Sequence, residues 1–169
     1  DSLYAWGFAR ERPRPYAFGK LVLWTNKDLA MGMGMRVLTE GHPLRIALAD
    51  PERAPYGREA LKALKRSGAL EAVRARLVYG ENISQVTQYV LTGNADIVFT
   101  AVSVVRAAEL KGKGRWAEVD GSLYDPIAQG AVVCRHGDRN QKDAAERFLA
   151  FLHLGTARAI LAGYGFGLP

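Results

Sequence analysis

The clearest chemistry in this chain lies in bare backbone donors at the start of a predicted helix, in the stretch Asp50–Gly57. The apolar run Leu44–Ala49 before it predicts a β-strand, and a helical pattern follows it. Pro55 suits the first position of a helix, whereas Ala54 has no side chain that could cap one. The next N–H groups would then lack a partner, and with the helix dipole they would form a site for an anion. A helix start capped only by water is the alternative.

A second helix start of similar kind is predicted after the short strand Leu77–Tyr79. Asn82 can cap this helix, and Gln85 would be its third residue, which is a capping-box arrangement. The N–H of Ile83 would remain available. In a doubly wound sheet, successive helices begin at the same edge, at the carboxyl ends of the strands. The two starts can therefore converge on one small anion, although such pairs are common in this class of fold.

Enzyme motifs are missing from the sequence: it has no Walker loop, no GxGxxG after a strand, no HExxH and no GxSxG. His42, His136 and His153 are far apart, and we interpret them as surface or structural residues. Cys134 is the single cysteine, which excludes a disulfide within the chain, and its apolar neighbours predict a buried thiol in a strand. We expect no catalytic residue, no enzymatic activity and no cofactor.

The composition is that of a water-soluble domain, with 49% apolar and 24% charged residues among 169. The net charge of +6 favours anionic ligands, but the basic residues are scattered. The denser group Lys62–Arg76 alternates with leucines at helical spacing, which predicts a solvated helix face. Because no nucleic-acid motif accompanies these charges, and no apolar run is as long as a membrane span, we expect neither nucleic-acid binding nor a direct membrane span.

Strands and helices alternate along the chain, which predicts an α/β fold with a largely parallel sheet. The predicted strands are Leu21–Trp24, Leu44–Ala49, Leu77–Tyr79, Asp96–Thr100, Trp116–Val119 and Ile127–Cys134. The predicted helices are Leu29–Leu38, Tyr56–Ser67, Ala69–Arg76, Asn82–Gly93, Ser103–Leu110 and Lys142–Gly163, the last interrupted at Gly155. The segment Arg10–Pro15, with two prolines and four charges, is predicted to be a connection.

Six motifs of the sequence lie in the order and at the spacing of one known family. They are Gly19–Trp24, Ile46–Arg58, Leu77–Gln85, Thr92–Asp96, Tyr124–Val133 and Tyr164–Pro169. On these residues the chain resembles the molybdate-binding protein family, the extracytoplasmic solute-binding components of molybdate and tungstate ABC importers. The resemblance runs from about Arg14 to Pro169.

The resemblance implies an α/β, periplasmic-binding-protein-like fold of type II, with two lobes and largely parallel sheets. Residues 19–130 would form lobe two, with hinge strands at both ends, and residues 131–169 would return to lobe one with C-terminal helices. Residues 1–18 would be a remnant of lobe one, with its last helix and a linker. Compared with the family, lobe one would lack its N-terminal segment, which supplies the other half of the oxyanion donors.

The resemblance also implies the ligand site. It assigns oxyanion binding to Tyr56 and Ile83, mainly through their backbone N–H groups, so that any contact with the metal would run through the oxygens of molybdate or tungstate. Some members add a tyrosine hydroxyl after the strand equivalent to Asp96–Thr100, where this chain has Ala101 and therefore lacks that donor.

The implied function is capture of molybdate or tungstate in the periplasm or outside the cell, with or without a lipid anchor, and delivery to an ABC transporter permease. The alternative is a truncated half-site that binds no oxyanion alone and acts as an interaction or regulatory module.

Overall fold

Short apolar strands form two sheets in the computed structural model, which describes residues 2–169. Within these residues the strands are β1 (Arg14–Gly19), β2 (Leu21–Thr25), β3 (Ile46–Ala49), β4 (Leu77–Gly80), β5 (Ile97–Ala101), β6 (Arg115–Glu118) and β7 (Ile127–Ala131). The α-helices are α1 (Ser2–Ala5), α2 (Pro55–Arg66), α3 (Leu70–Val73), α4 (Ile83–Leu91), α5 (Val102–Arg106), α6 (Arg139–Leu152) and α7 (Gly155–Gly163). Short 3₁₀ segments are Met31–Leu38, Arg74–Arg76 and Gly121–Leu123.

The chain divides into two compact units. Unit 1 comprises the described residues up to Gly19 together with Ala128–Pro169, and unit 2 comprises Lys20–Ile127. Unit 2 contains a five-stranded sheet in the order β4-β3-β5-β2-β6, and β1 pairs with β7 in a two-stranded sheet. Among the described residues, no helix has the length and apolar character needed to cross a membrane.

Three neighbouring strands of the larger sheet run parallel, as the alternation of strands and helices predicts. β3 pairs in parallel with β4 on one side and with β5 on the other. β2 is antiparallel to both of its neighbours, β5 and β6. The sheet is therefore mixed, and its parallel part contains the two strands that precede the candidate helix starts.

Residues that alternate along the strands divide the core between the two faces of this sheet. In β3, Ile46 and Leu48 belong to a core cluster that also contains Leu64 of α2. Ala47 points the other way, into a cluster with Val86 of α4. Burying a Val, Leu or Ile side chain in such a cluster contributes about 1.5–3 kcal/mol. Helices α2 and α4 are thus held on opposite faces of the same sheet.

The N-terminal region contains a helix and a connection, but the connection predicted to run to Pro15 ends before Arg14. Helix α1 has four residues, and Arg14 and Pro15 begin β1, which is half of a two-stranded sheet. Proline is tolerated there because a strand of a two-stranded sheet has a free edge. Asp1 lies outside the described residues.

Cys134 is exposed, so the prediction of a buried strand thiol is wrong. The strand β7 ends at Ala131, and Cys134 makes only an isolated bridge with Ala9. The apolar run of the sequence continues past the end of β7. The alternation of side chains along a strand therefore does not determine which way the Cys134 thiol points.

Hydrogen bonds to the Asp96 carboxylate join the start of β5 to two other segments. It accepts hydrogen bonds from the side chain of Lys27 and, at 2.6 Å, from the N–H of Arg45. Burial by itself would raise the pKa of the Asp96 carboxyl, but these two hydrogen bonds outweigh it and hold the pKa below its ordinary value.

We expect Asp96→Ala to lower the free energy of unfolding by about 1–3 kcal/mol at pH 7, because it removes two hydrogen bonds to a charged group. The depressed pKa means that this contribution is present above the ordinary carboxyl pKa and is lost as the pH falls through the folded-state value. Urea unfolding at several pH values measures both effects. A variant that differs from the parent chain by the same amount at pH 7 and at pH 3 would contradict this assignment.

Candidate anion-binding site

The start of α2 carries backbone donors without acceptors. Ala54 is extended and makes no side-chain cap, and Pro55 occupies the first helical turn, as predicted. The N–H of Arg58 donates to the Ala54 carbonyl at 3.0 Å. The N–H groups of Tyr56 and Gly57 have no acceptor within the described part of the chain. They are therefore available to an anion.

Gly57 lets this helix start approach the end of β3 very closely. A Cβ atom at Gly57 would lie 2.0 Å from the carbonyl oxygen of Ala49, which is backbone and cannot rotate away. Sequence reasoning missed this role. The available signal was a glycine in the first turn of a helix, where it costs about 1 kcal/mol relative to alanine and therefore needs a reason.

The loop that joins β3 to α2 is closed by its own hydrogen bonds. The Asp50 carbonyl accepts from the N–H of Ala54 at 2.8 Å, and the Asp50 carboxylate accepts from the N–H of Glu52 at 2.9 Å. The Asp50 N–H donates to the carbonyl of Gly80 at 2.7 Å, which ties the loop to the end of β4. The carboxylate of Asp50 thus serves the turn.

The start of α4 is only partly capped. The Asn82 side chain accepts from the N–H of Gln85 at 2.9 Å, as predicted. The return bond of the expected capping box is displaced by one residue, because the Gln85 side chain accepts from the N–H of Glu81 at 2.6 Å rather than from that of Asn82. In the described residues nothing accepts from the N–H groups of Ile83 and Ser84.

Gly80 allows a similarly close contact between β4 and the first turn of α4. A Cβ atom at Gly80 would lie 2.7 Å from a methyl group of Val86 and 2.9 Å from the side-chain oxygen of Gln85. Each candidate helix start is therefore packed directly onto the strand end that precedes it.

Two buried hydroxyl groups support α4 from below. Thr87 donates to the carbonyl of Ile83 at 2.6 Å, and its hydroxyl lies 3.2 Å from that of Thr100 at the end of β5. Since the Ile83 carbonyl shares a peptide group with the Ser84 N–H, this hydrogen bond polarises that N–H and strengthens it as a donor.

The pairing of β3 with β4 brings both starts to one edge of the sheet. Ala49 and Gly80 are register partners at the carboxyl ends of the two parallel strands. Helix α5 begins at the same edge after the buried Ala101, but the N–H of Val102 already donates to the Lys20 carbonyl at 3.0 Å. The starts of α2 and α4, which follow two adjacent parallel strands, both present free donors at this edge of unit 2.

The side chain beside these donors is uncharged. Tyr56 is half-buried, and burial together with the neighbouring Tyr124 raises the pKa of its hydroxyl to about 12. The hydroxyl therefore stays protonated at physiological pH and places no negative charge next to a bound anion.

Other parts of the chain offer fewer groups that could bind a ligand or a metal ion. A groove of about 350 Å³ in unit 1 is lined by apolar side chains such as Val132 and Leu149 and by Arg14, which is already paired with Glu11. The three histidines are exposed. Among residues 2–169, no group of three or more His, Cys, Asp or Glu side chains is arranged to hold a metal ion.

The sequence model of the bacterial extracellular solute-binding protein family matches residues 1–167. The chain belongs to this family. The molybdate-binding protein ModA of Azotobacter vinelandii is 38% identical over 154 residues, which cover 90% of this chain and 60% of that protein. The ModA of Rhodobacter capsulatus is 38% identical over 156 residues, covering 89% and 58%. This family member therefore spans about 60% of the length of these two relatives.

Comparison with solved structures also finds a molybdate-binding protein. The solved periplasmic molybdate-binding protein of Azotobacter vinelandii has a TM-score of 0.87 and 32% identity, covering 99% of this chain and 73% of that chain. The resemblance to the molybdate-binding protein family and the periplasmic-binding-protein-like fold are thereby confirmed. These relatives are solute-binding proteins rather than enzymes, in agreement with the expectation from the sequence. The ligand roles of Tyr56 and Ile83 stay predictions.

We expect Gly57→Ala to lower the free energy of unfolding by about 1–3 kcal/mol, because the new methyl group overlaps the Ala49 carbonyl and the helix start must move. Urea denaturation measures the loss. Gly121→Ala is the matched control, since a Cβ atom there meets nothing within 4 Å. Equal stability of the two variants would show that the close contact at Gly57 is not required.

Proposed function

We propose that this chain binds molybdate or tungstate through the N–H groups of Tyr56 and Ile83, as part of a solute-binding protein of an ABC importer. The observation that carries the proposal is the pair of helix starts with free donors at the ends of two adjacent parallel strands. Both relatives named ModA are molybdate-binding proteins, which supports the choice of ligand.

The chemistry of the donors suits a fully ionised oxyanion. Such an ion has only acceptor oxygens and requires donors around it, and neutral N–H groups at helix starts provide them together with the positive ends of two helix dipoles. Farther along α2, Lys62 and Arg66 are engaged with carboxylates. Arg58 lies nearer to these donors, and its side chain is exposed. The proposed contacts to the oxyanion are made by neutral N–H groups.

The proposed place of action is the periplasm or the cell exterior, with an ABC transporter permease as the partner that receives the oxyanion. The periplasmic relative in Azotobacter vinelandii supports this location. The proposed mechanism is closure of two lobes about the segments near Gly19–Trp24 and Ile127–Cys134, with the closed form stabilised by the ligand.

Calorimetric titration of the chain with sodium molybdate tests the proposal, with sodium tungstate as a second ligand and sodium sulfate as the control. Saturable heat with molybdate supports it. If the folded chain gives no heat with molybdate or tungstate, the alternative of a half-site that serves as an interaction module is favoured instead.

Ile83→Pro is the most direct test of a backbone donor. Proline is well accepted at the first helical position and would follow the extended Asn82, so the substitution deletes one N–H with little disturbance. Losing a hydrogen bond to a charged ligand costs about 1.5–3 kcal/mol, and we expect Kd for molybdate to rise roughly 10- to 150-fold. Ile83→Ala keeps the N–H and is the control. Equal affinities of the two variants would exclude the Ile83 N–H as a ligand.

Tyr56 is tested by comparing the loss of its hydroxyl with the loss of its N–H. Tyr56→Phe should change Kd for molybdate by less than about threefold, because the backbone carries the contact, whereas Tyr56→Pro should weaken binding at least tenfold. Titration calorimetry gives both values, and Tyr56→Ala controls for the missing ring in the proline variant. Equal and large losses in Tyr56→Phe and Tyr56→Pro would identify the hydroxyl as the ligand.

A further inference from the structure

A buried carboxylate lies one helical turn beyond the donors of α2. Glu59 is 7% exposed, and its two oxygens are both used. Oε2 accepts from the backbone N–H of Asp125 at 2.8 Å, and Oε1 accepts from Nζ of Lys62 at 2.8 Å. The partner Asp125 is 66 residues away along the sequence, so no local pattern in α2 reveals this contact.

Asp125 is fastened to the same helix by its own side chain. Its carboxylate accepts from Lys62 at 2.7 Å and from Arg66 at 2.7 Å. These two hydrogen bonds hold the pKa of the Asp125 carboxyl below its ordinary value. One side of α2 is therefore joined to Asp125 by three polar contacts, made by Glu59, Lys62 and Arg66.

This segment is where unit 2 ends, and it also reaches the place where unit 2 begins. The Tyr124 hydroxyl accepts from the N–H of Leu21, the first residue of β2, at 3.2 Å. Tyr124 also packs beside Tyr56 against the core cluster of α2. The helix that carries the Tyr56 donor is thus connected to the segments by which the chain enters and leaves unit 2.

A carboxylate is an unexpected choice for this position. A negative charge one turn from an anion site repels the ligand, and a buried charge loses its hydration. An apolar side chain would fill the space without either cost. Lys62, at 2.8 Å, offsets the charge of Glu59. What an apolar residue could not supply is an acceptor for the N–H of Asp125, which would otherwise be half-buried without a partner.

We propose that Glu59 is a positioning residue of the anion site: by accepting from the Asp125 N–H, it fixes the rotation of α2 and with it the direction of the Tyr56 N–H. This inference rests on the proposed function for its effect on affinity. The contact itself does not depend on any ligand, so it can be tested separately.

The test compares Glu59→Ala with Glu59→Gln, which keeps an amide oxygen for the Asp125 N–H, and with Val105→Ala as a control. Val105 is buried in α5 on the opposite face of the sheet, so its truncation lowers stability without touching α2. For each folded variant, titration calorimetry gives Kd for molybdate, NMR gives the amide resonances of Tyr56 and Gly57, and hydrogen exchange gives the protection of the Asp125 amide.

We expect Glu59→Ala to weaken molybdate binding about tenfold, to shift the Tyr56 and Gly57 amide resonances and to remove protection at Asp125. Glu59→Gln should stay within about threefold of the parent chain and retain protection, which a general loss of stability would not explain. Unchanged affinity in Glu59→Ala, or an equal loss in Val105→Ala, would overturn the inference.

If the parent chain binds no molybdate, the proposed function fails. The inference about Glu59 is then tested by the amide resonances alone. Shifted Tyr56 and Gly57 resonances in Glu59→Ala, restored in Glu59→Gln, support positioning by Glu59. Resonances that match the parent chain overturn it.

Discussion

The close packing of two helix starts onto two strand ends is the constraint on which the candidate site depends. A Cβ atom would overlap the Ala49 carbonyl at Gly57 and would crowd two side chains of α4 at Gly80, and the strands concerned are register neighbours in a parallel pair. The free donors are backbone N–H groups, so the main chain rather than mobile side chains sets their direction. Donors of this kind need no reorganisation when a ligand arrives.

Several basic side chains of unit 2 hold its elements together. The basic group from Lys62 to Arg76 was predicted to be a solvated face, and part of it instead holds the segment around Asp125 to α2. Arg76 likewise donates to the carbonyls of Leu38 and Leu44. These charges hold elements of the fold together.

Much of unit 2 was predictable because its signals are local. Short apolar runs correctly predicted β2, β3, β4 and β5, and the missing cap at Ala54 and the present cap at Asn82 were both evident from residue types. Unit 1 was harder. β1 begins with Arg14 and Pro15 and has only a short apolar run, and the strand ending at Ala131 is shorter than its apolar sequence. In both places the pairing partner decides the outcome, and a partner distant in sequence leaves no periodic pattern.

The sequence by itself determined the order of strands and helices, the two uncapped helix starts and, through six motifs, the resemblance to a family. These properties depend on residue type and on neighbours within a few positions. Only the tertiary structure decided that the first turns of α2 and α4 lie on opposite faces at one edge, that Gly57 and Gly80 pack closely there, and that Glu59 reaches Asp125. The physical reason is that strand pairing and hydrogen bonding join residues far apart in the sequence, such as Asp125 and Glu59, which are 66 positions apart.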